Sequence, residues 1–302
     1  MEIRENVPLA PYTTFQIGGP ARYFVEVSDE AGVRDALGWA REKGVPFCVI
    51  AGGSNLLIPD SGRDGLVIRV AGEKFSVTDN GLEAQAGCVL LDLIRAASAQ
   101  GLGGWEKLSG IPGTIGGAVR GNAGAFGPEI KDFVTWVRAI NTRTEDVHEF
   151  SNAECQFDYR MSYFKKNPEW VILDVHVQLG KSEAALIDET IREREKRHIQ
   201  NVKAAGSYFM NPVAPQKIIS LFEQEKQTTS RGGRVPAGWL IEKTGMKGAT
   251  LGGAQVSPQQ ANYIINASGS ATAEEVRELA QKVKDEVKEQ FDVVLTEEAV
   301  VL

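Results

Sequence analysis

Hydrophobic and polar positions alternate along Ala21–Val27 (ARYFVEV), the two-residue period of a half-buried strand. Ser28-Asp29-Glu30 then supplies a capping start, and Val33, Ala36, Leu37 and Ala40 fall on one side of a helix that Gly44 ends. PFCVIA predicts a short buried strand, GGSNLL a turn and GLVIRV another strand, so this stretch reads β-α-β with a glycine turn where a second helix would be expected. LEAQAG predicts a strand and Leu90–Ala99 a helix. Residues 101–127, GLGGWEKLSGIPGTIGGAVRGNAGAFG, hold too many glycines for a helix interior or a packed strand and predict a long irregular loop, a kind that is usually functional.

VTWVRAI, DVHEF, the FDYRMSYF segment and WVILDVHVQL read as a run of antiparallel strands, with a turn at Asn141–Thr144. Residues 183–199 predict a charged helix, and Asn201–Gly206 a connection into a third region. There PAGWLIEKTG predicts a short helix begun by Pro236. In ATAEEVRELAQKVKDEVKEQF, Thr272 and Glu275 have capping-box spacing and Val276, Leu279, Ala280, Val283 and Val287 form one apolar stripe. FDVVLTEEAVVL closes as a strand. The pattern is α+β, with lobes at 1–70 and 71–195 and a further domain at 196–302, whose last strand, about 291–302, could return to the preceding body.

The chain has 302 residues, 42% hydrophobic and 24% charged, which excludes a disulfide-stapled miniprotein or a disordered tail. Thirty-three Lys and Arg against 40 Asp and Glu give a net charge of -7, so no general field draws it to nucleic acid or an anionic membrane. An anionic ligand must be met by a few local cations. Cys48, Cys88 and Cys155 lie far apart, and the histidines are His148, His176 and His198; neither set has metal-ligand spacing. The odd thiol count fits a reducing compartment. MEIRENVPLAPYTTF has no apolar run behind a basic flank, and no stretch approaches 18 apolar residues, so a soluble cytoplasmic protein is expected.

Glycine-rich loops suggest phosphate cradles, because backbone without Cβ can turn its N–H groups onto an anion. Neither a P-loop nor a Rossmann fingerprint occurs. In GGSNLL, Gly52 and Gly53 allow close approach while Ser54 and Asn55 add donors, but alone this is a plain tight turn. Two glycine-dense surfaces in neighbouring modules could clamp one extended dinucleotide.

Eight blocks in order, TTFQIGGPARYF, AGGSNLL, SGIPGTIGGAVRGNAGAFG, FDYRMSYFK, AGSYFMNP, AGWLIEKTGMKG, GGAQVSPQQANYIIN and FDVVLTEEA, resemble the UDP-N-acetylenolpyruvoylglucosamine reductase family. The resemblance runs from Thr13 to Glu298. It implies a two-lobed FAD-binding domain of the vanillyl-alcohol oxidase type with a C-terminal α+β substrate-binding domain. It also implies non-covalent FAD, NADPH as hydride donor, and reduction of an enolpyruvyl ether of a UDP-sugar to a lactyl ether in cell-wall precursor synthesis. Small-molecule substrates are then the partners, with no obligate protein partner. Flavin contacts are implied for Gly52, Gly53, Ser54, Asn55, Gly113, Thr114, Gly116, Gly117, Asn122 and Gly124.

The chemistry asks for residues of the types that this resemblance assigns. Hydride delivery to the vinyl carbon leaves an enolate-like charge next to a carboxylate, which a permanently charged guanidinium can grip; by similarity this is Arg160. Buried donors aimed at developing charge contribute ~3–4 kcal/mol each in other enzymes. By the same similarity Ser207 delivers the proton. Glu298, on the same strand face as Thr296 and opposite Glu297, would act as a neutral acid of raised pKa. Tyr159, Lys196, Asn211, Lys247 and Gln260 are implied as substrate contacts, with Arg197 an alternative to Lys196.

The sequence departs from the family pattern at Ala51, where glycine is usual and a negative φ is needed, at Arg120-Gly121, at Met210, and in lacking prolines around Asn201–Ala204. The short connection from Val177 to Arg194 implies the subgroup without a tyrosine-bearing loop. Two other readings are an oxidase of the same fold, whose covalent flavin link only Cys88 could supply, and a non-catalytic flavin or UDP-sugar binding module.

Overall fold

The computed structural model describes residues 1–197 and 200–302 and divides into two compact units. The first comprises residues 1–7, 21–53 and 63–196; the second comprises 8–20, 54–62 and 197–302. In chain order the elements begin with β1 (Arg4–Pro8), β2 (Pro20–Val27), α1 (Glu30–Lys43), β3 (Phe47–Ile50), β4 (Leu56–Leu57), β5 (Arg63–Val70), β6 (Phe75–Thr78) and β7 (Gly81–Gln85). Then come α2 (Leu90–Ala99), β8 (Leu102–Gly103), α3 (Ile115–Gly121), β9 (Val134–Asn141), β10 (Val147–Ser151), α4 (Tyr163–Lys166), β11 (Trp170–Gln178), β12 (Gly180–Lys181) and α5 (Ala185–Lys196). Last are α6 (Gln216–Lys226), α7 (Ala237–Lys243), β13 (Thr250–Leu251), β14 (Ala254–Val256), β15 (Ile264–Asn266), α8 (Ala273–Phe291) and β16 (Val300–Val301).

The first unit holds a four-stranded sheet, β1-β2-β5-β3, with β5 parallel to both β2 and β3, and a five-stranded antiparallel sheet, β10-β9-β11-β7-β6. One core serves both sheets. α1 forms as its pattern dictates: the Asp29 carboxylate accepts from Gly32 N–H, Gly44 closes the helix at φ 65°, and Val33, Ala36, Leu37 and Ala40 are buried.

The second unit is assembled from three stretches of chain. It holds the antiparallel β13-β14-β15 sheet, the parallel pair β4 and β16, and α6, α7 and α8. α8 has the expected capping box between Thr272 and Glu275, and its five stripe residues are buried. The Asp60 carboxylate accepts from Ala273 and Glu274 N–H at 2.8 and 3.1 Å, so the short early stretch also anchors the start of α8.

Four expectations change. Residues 8–20 and 54–62, read as part of the first lobe, belong to the second unit, where Phe15, Ile17 and Leu57 enter its core. The glycine-dense segment contains the helix α3, because Thr114 Oγ1 caps it at Gly117 N–H and Ile115, Ala118 and Val119 are buried. FDYRMSYF is no strand: Asp158 and Met161 exchange two main-chain hydrogen bonds of 3.0 Å in a closed turn, and Ser162 then caps α4. FDVVLTEEAVVL keeps alternate burial at Val293 and Leu295, yet pairs as a strand only at β16, beyond one isolated bridge between Phe209 and Glu297. That closing segment lies in the second unit, against Leu56–Leu57.

Candidate active site

Within the first unit the two glycine turns meet. A Cβ built on Gly52 would lie 2.9 Å from Gly113 Cα and 3.3 Å from Thr114 N, so only glycine allows this approach. Thr114 faces Val89 in a bridge whose hydrogen bonds run from Leu90 N–H to Gly113 O and from Ile115 N–H to Cys88 O. The N–H groups of Gly52, Gly53, Gly113 and Thr114 therefore find no acceptor among the described residues. Donors unused by protein, beside a surface without side chains, fit a phosphate-bearing ligand. Ala51, at the base of the turn, avoids positive φ, as its side chain requires.

α3 ends at Asn122, which is fully buried at φ 42°. Both amide hydrogens of its side chain are used, toward Glu129 Oε2 at 3.1 Å and Asp158 O at 2.9 Å, while Oδ1 accepts from Lys131 N–H at 3.3 Å. This leaves Asn122 only its main chain to offer a ligand. That main chain steers Arg160, whose guanidinium donates to the carbonyls of Asn122 and Gly124 at 3.4 and 3.1 Å. Arg160 itself takes φ 54°, and its guanidinium carbon lies 5.3 Å from the Tyr159 ring centroid. Two carbonyls and an aromatic face thus fix the orientation of a permanent cation in the first unit.

The second unit contains a cavity of about 420 Å³ lined by Ser207, Asn211, Lys247 and Gln260, with Phe222 and Trp239 as apolar wall. Four of the residues singled out in the sequence therefore converge. Lys247 Nζ pairs with Glu242 Oε1 at 2.9 Å, and Asn211 Oδ1 accepts from Ala237 N–H at 3.0 Å at the start of α7. Ser207 follows Gly206, whose φ is 74°.

Glu298 lies beside this loop. Its N–H donates to Tyr208 O at 2.8 Å and its carbonyl accepts from Asn55 Nδ2 at 2.9 Å. The turn after Gly53, the serine loop and the terminal glutamate are thereby joined within one unit. Glu297 pairs with Lys284 on α8 at 2.9 Å.

Asn262 was not singled out in the sequence. It is 6% exposed, and its amide makes a two-point clamp on Phe209, donating to the carbonyl at 2.8 Å and accepting from the N–H at 3.1 Å. Its own carbonyl accepts from Tyr208 N–H at 2.7 Å, so it sets the path of the serine loop.

Lys196 stands at the exposed end of α5 in the first unit, and Arg197 is exposed in the second. His198 lies outside the described residues. Cys88 is buried, donates its Sγ–H to Lys74 O at 3.3 Å and has its thiol pushed up to about 11 by burial, the profile of an inert core thiol.

An α+β unit with facing glycine turns, on one chain with a further α+β unit, fits a flavoprotein that binds FAD through its first unit. Residues 21–151 match the family model described as FAD binding domain, and residues 197–302 match that described as UDP-N-acetylenolpyruvoylglucosamine reductase, C-terminal domain. The UDP-N-acetylenolpyruvoylglucosamine reductase of Solibacter usitatus is 37% identical, covering 99% of this chain and 96% of its own. That of Clostridioides difficile is 34% identical over 100% and 93%. The crystal structure of the Thermus caldophilus enzyme superposes with a TM-score of 0.76 at 30% identity, covering 99% of this chain and 98% of its own. The chain belongs to the UDP-N-acetylenolpyruvoylglucosamine reductase family.

Proposed function

We propose that this protein is an FAD-containing, NADPH-dependent reductase that converts UDP-N-acetylglucosamine enolpyruvate to UDP-N-acetylmuramate for peptidoglycan precursor synthesis. It works in the cytoplasm on small molecules, without an obligate protein partner; three unpaired thiols suit that compartment. The observation that carries the reading is the pinning of Glu298 between Tyr208 and Asn55, which joins the expected proton donor, the expected carboxyl and the flavin turn.

The first-unit glycine turns fit FAD through their close approach and unused N–H groups. When bound, FAD supplies the hydride chemistry between NADPH and the vinyl carbon of the substrate. Arg160, fixed by two carbonyls, grips the substrate carboxylate where charge develops. Ser207 gives its hydroxyl proton to the carbon next to that carboxylate, and Glu298, as a neutral acid, donates a hydrogen bond to the same charge. Lys247, Asn211 and Gln260 hold the sugar diphosphate on the cavity wall, with Tyr159 and either Lys196 or Arg197 as further contacts. NADPH and the sugar use one pocket in turn, giving ping-pong kinetics.

The test is anaerobic. NADPH should bleach the yellow protein, and the enolpyruvyl UDP-sugar should restore its colour. Ser207→Ala should keep the first step and slow the second by ~10²-fold or more. Colourless protein, or a bleached protein indifferent to the sugar, refutes the reading; equal slowing of both steps removes Ser207 from proton delivery.

A further inference from the structure

We infer that Arg120 is a further cofactor-binding residue, a cation that meets the diphosphate of the dinucleotide carried on the glycine turns; this rests on the FAD reading above. The inference starts from a charge without a counter-charge. Arg120 is half-buried, yet its guanidinium has no carboxylate, carbonyl or aromatic partner among the described residues. Other arginines of the first unit are paired: Arg22 with Asp64, Arg34 with Glu30, and Arg138 with Glu30 and Asp174. Burial alone acts on the Arg120 guanidinium and pushes its pKa down, with no nearby acid to offset it. A partly desolvated cation in that state is costly unless an anion from outside the chain completes it.

The geometry around Arg120 leaves room for that anion. α3 buries Ile115, Ala118 and Val119, and its other face carries Gly117, Arg120 and Gly121. A side chain at Gly117 would meet only Thr114 Oγ1, at 3.6 Å, and one at Gly121 would meet nothing within 4 Å. Space for alanine exists at both positions, yet both hold glycine, at a cost in helix stability. The bare face is consistent with something lying on it.

Six residues at 1.5 Å rise put Arg120 about 9 Å along α3 from Thr114, and long helical side chains lean back toward the start of their helix, the side of the loop of Gly113 and Thr114. There the main-chain N–H groups are already without acceptors. A guanidinium added to such donors makes a bidentate diphosphate site. The residue is also held in place: Ser162 Oγ–H, fully buried, donates to Arg120 O at 2.7 Å.

The experiment titrates wild-type, Arg120→Lys and Arg120→Gln apoprotein with FAD and with riboflavin, which lacks the diphosphate, following flavin fluorescence. Arg120→Gln should weaken FAD ~10–100-fold with a flatter salt dependence, and leave riboflavin affinity unchanged; Arg120→Lys should fall between. The Arg120→Gln apoprotein should melt no lower than wild type, because a desolvated charge is removed. Unchanged FAD affinity, or equal loss of both flavins, or a lowered melting temperature that accompanies the loss, overturns the assignment. Wild-type apoprotein that binds neither flavin overturns the FAD reading itself, and this inference with it.

Discussion

Replacing Gly52 by alanine tests the meeting of the two glycine turns most directly. The new methyl carbon would stand 2.9 Å from Gly113 Cα, whereas ordinary contact begins near 3.4 Å, so the two backbones must part by about half an ångström. Neither side can yield by rotating a side chain, because main-chain atoms meet on both. Overpacking of this kind costs ~1–3 kcal/mol. Gly52 is half-buried at the tip of a turn, so the free protein can relieve part of that strain by opening, while a dinucleotide held between the turns cannot tolerate the gap. The strain should therefore appear mainly in binding, as a loss of ~5–100-fold in FAD affinity. Titration of the apoprotein with FAD gives the affinity, and thermal unfolding with and without FAD gives the same quantity as a smaller ligand-induced rise in Tm. A Gly52→Ala protein that binds FAD as wild type, with the same rise, would show that the approach of the turns is incidental to the cofactor.

Asn262→Ala strips the clamp from Phe209 and leaves a buried N–H and carbonyl unpaired, so unfolding in urea should show a loss of ~2–4 kcal/mol, and the sugar half-reaction should slow more than bleaching by NADPH. Asn122→Ala removes three side-chain hydrogen bonds at a fully buried position of positive φ; we expect a similar loss of stability and, as the main chain whose carbonyl orients Arg160 loosens, a raised KM for the sugar, with Asn122→Asp restoring neither fully. The Cys155 thiol is pushed up from 9.0 to about 12 by burial, so the fold holds it neutral while the unfolded chain ionises it. Stability should fall as pH rises from about 9 towards about 12, and Cys155→Ala should flatten that dependence in denaturant titrations.

The helices α1 and α8 were legible because capping residue, apolar stripe and stop coincide in each. α6 was not foreseen: Pro215 precedes it without a side-chain cap, and only Ile218, Ile219 and Phe222 are buried, too few to stand out. α3 was hidden by its glycines, since its stability comes from burial of three residues and one threonine cap rather than from propensity. In the closing segment the alternation at Val293 and Leu295 could be read, but whether a partner strand lies alongside is a tertiary fact. The same limit governs the site. Ser207, Asn211, Lys247 and Gln260 were named from a resemblance, and only folding reveals that one cavity wall gathers them. Asn262 went unnoticed because a bidentate grip on a peptide unit has no spacing signature.

The second unit draws on three separated stretches, and this governs how it can be made. Asn55 waits for a partner 243 positions later, Asp60 for one 213 positions later, and Phe15 for Asn266, 251 positions on. During synthesis the early stretches leave the ribosome long before anything exists for them to rest against, so Phe15, Ile17 and Leu57 stay open to water, or to a chaperone, until late in translation. A fragment beginning near residue 197 would emerge with the corresponding groove uncovered, and recombinant work on that half should supply the missing peptides in trans.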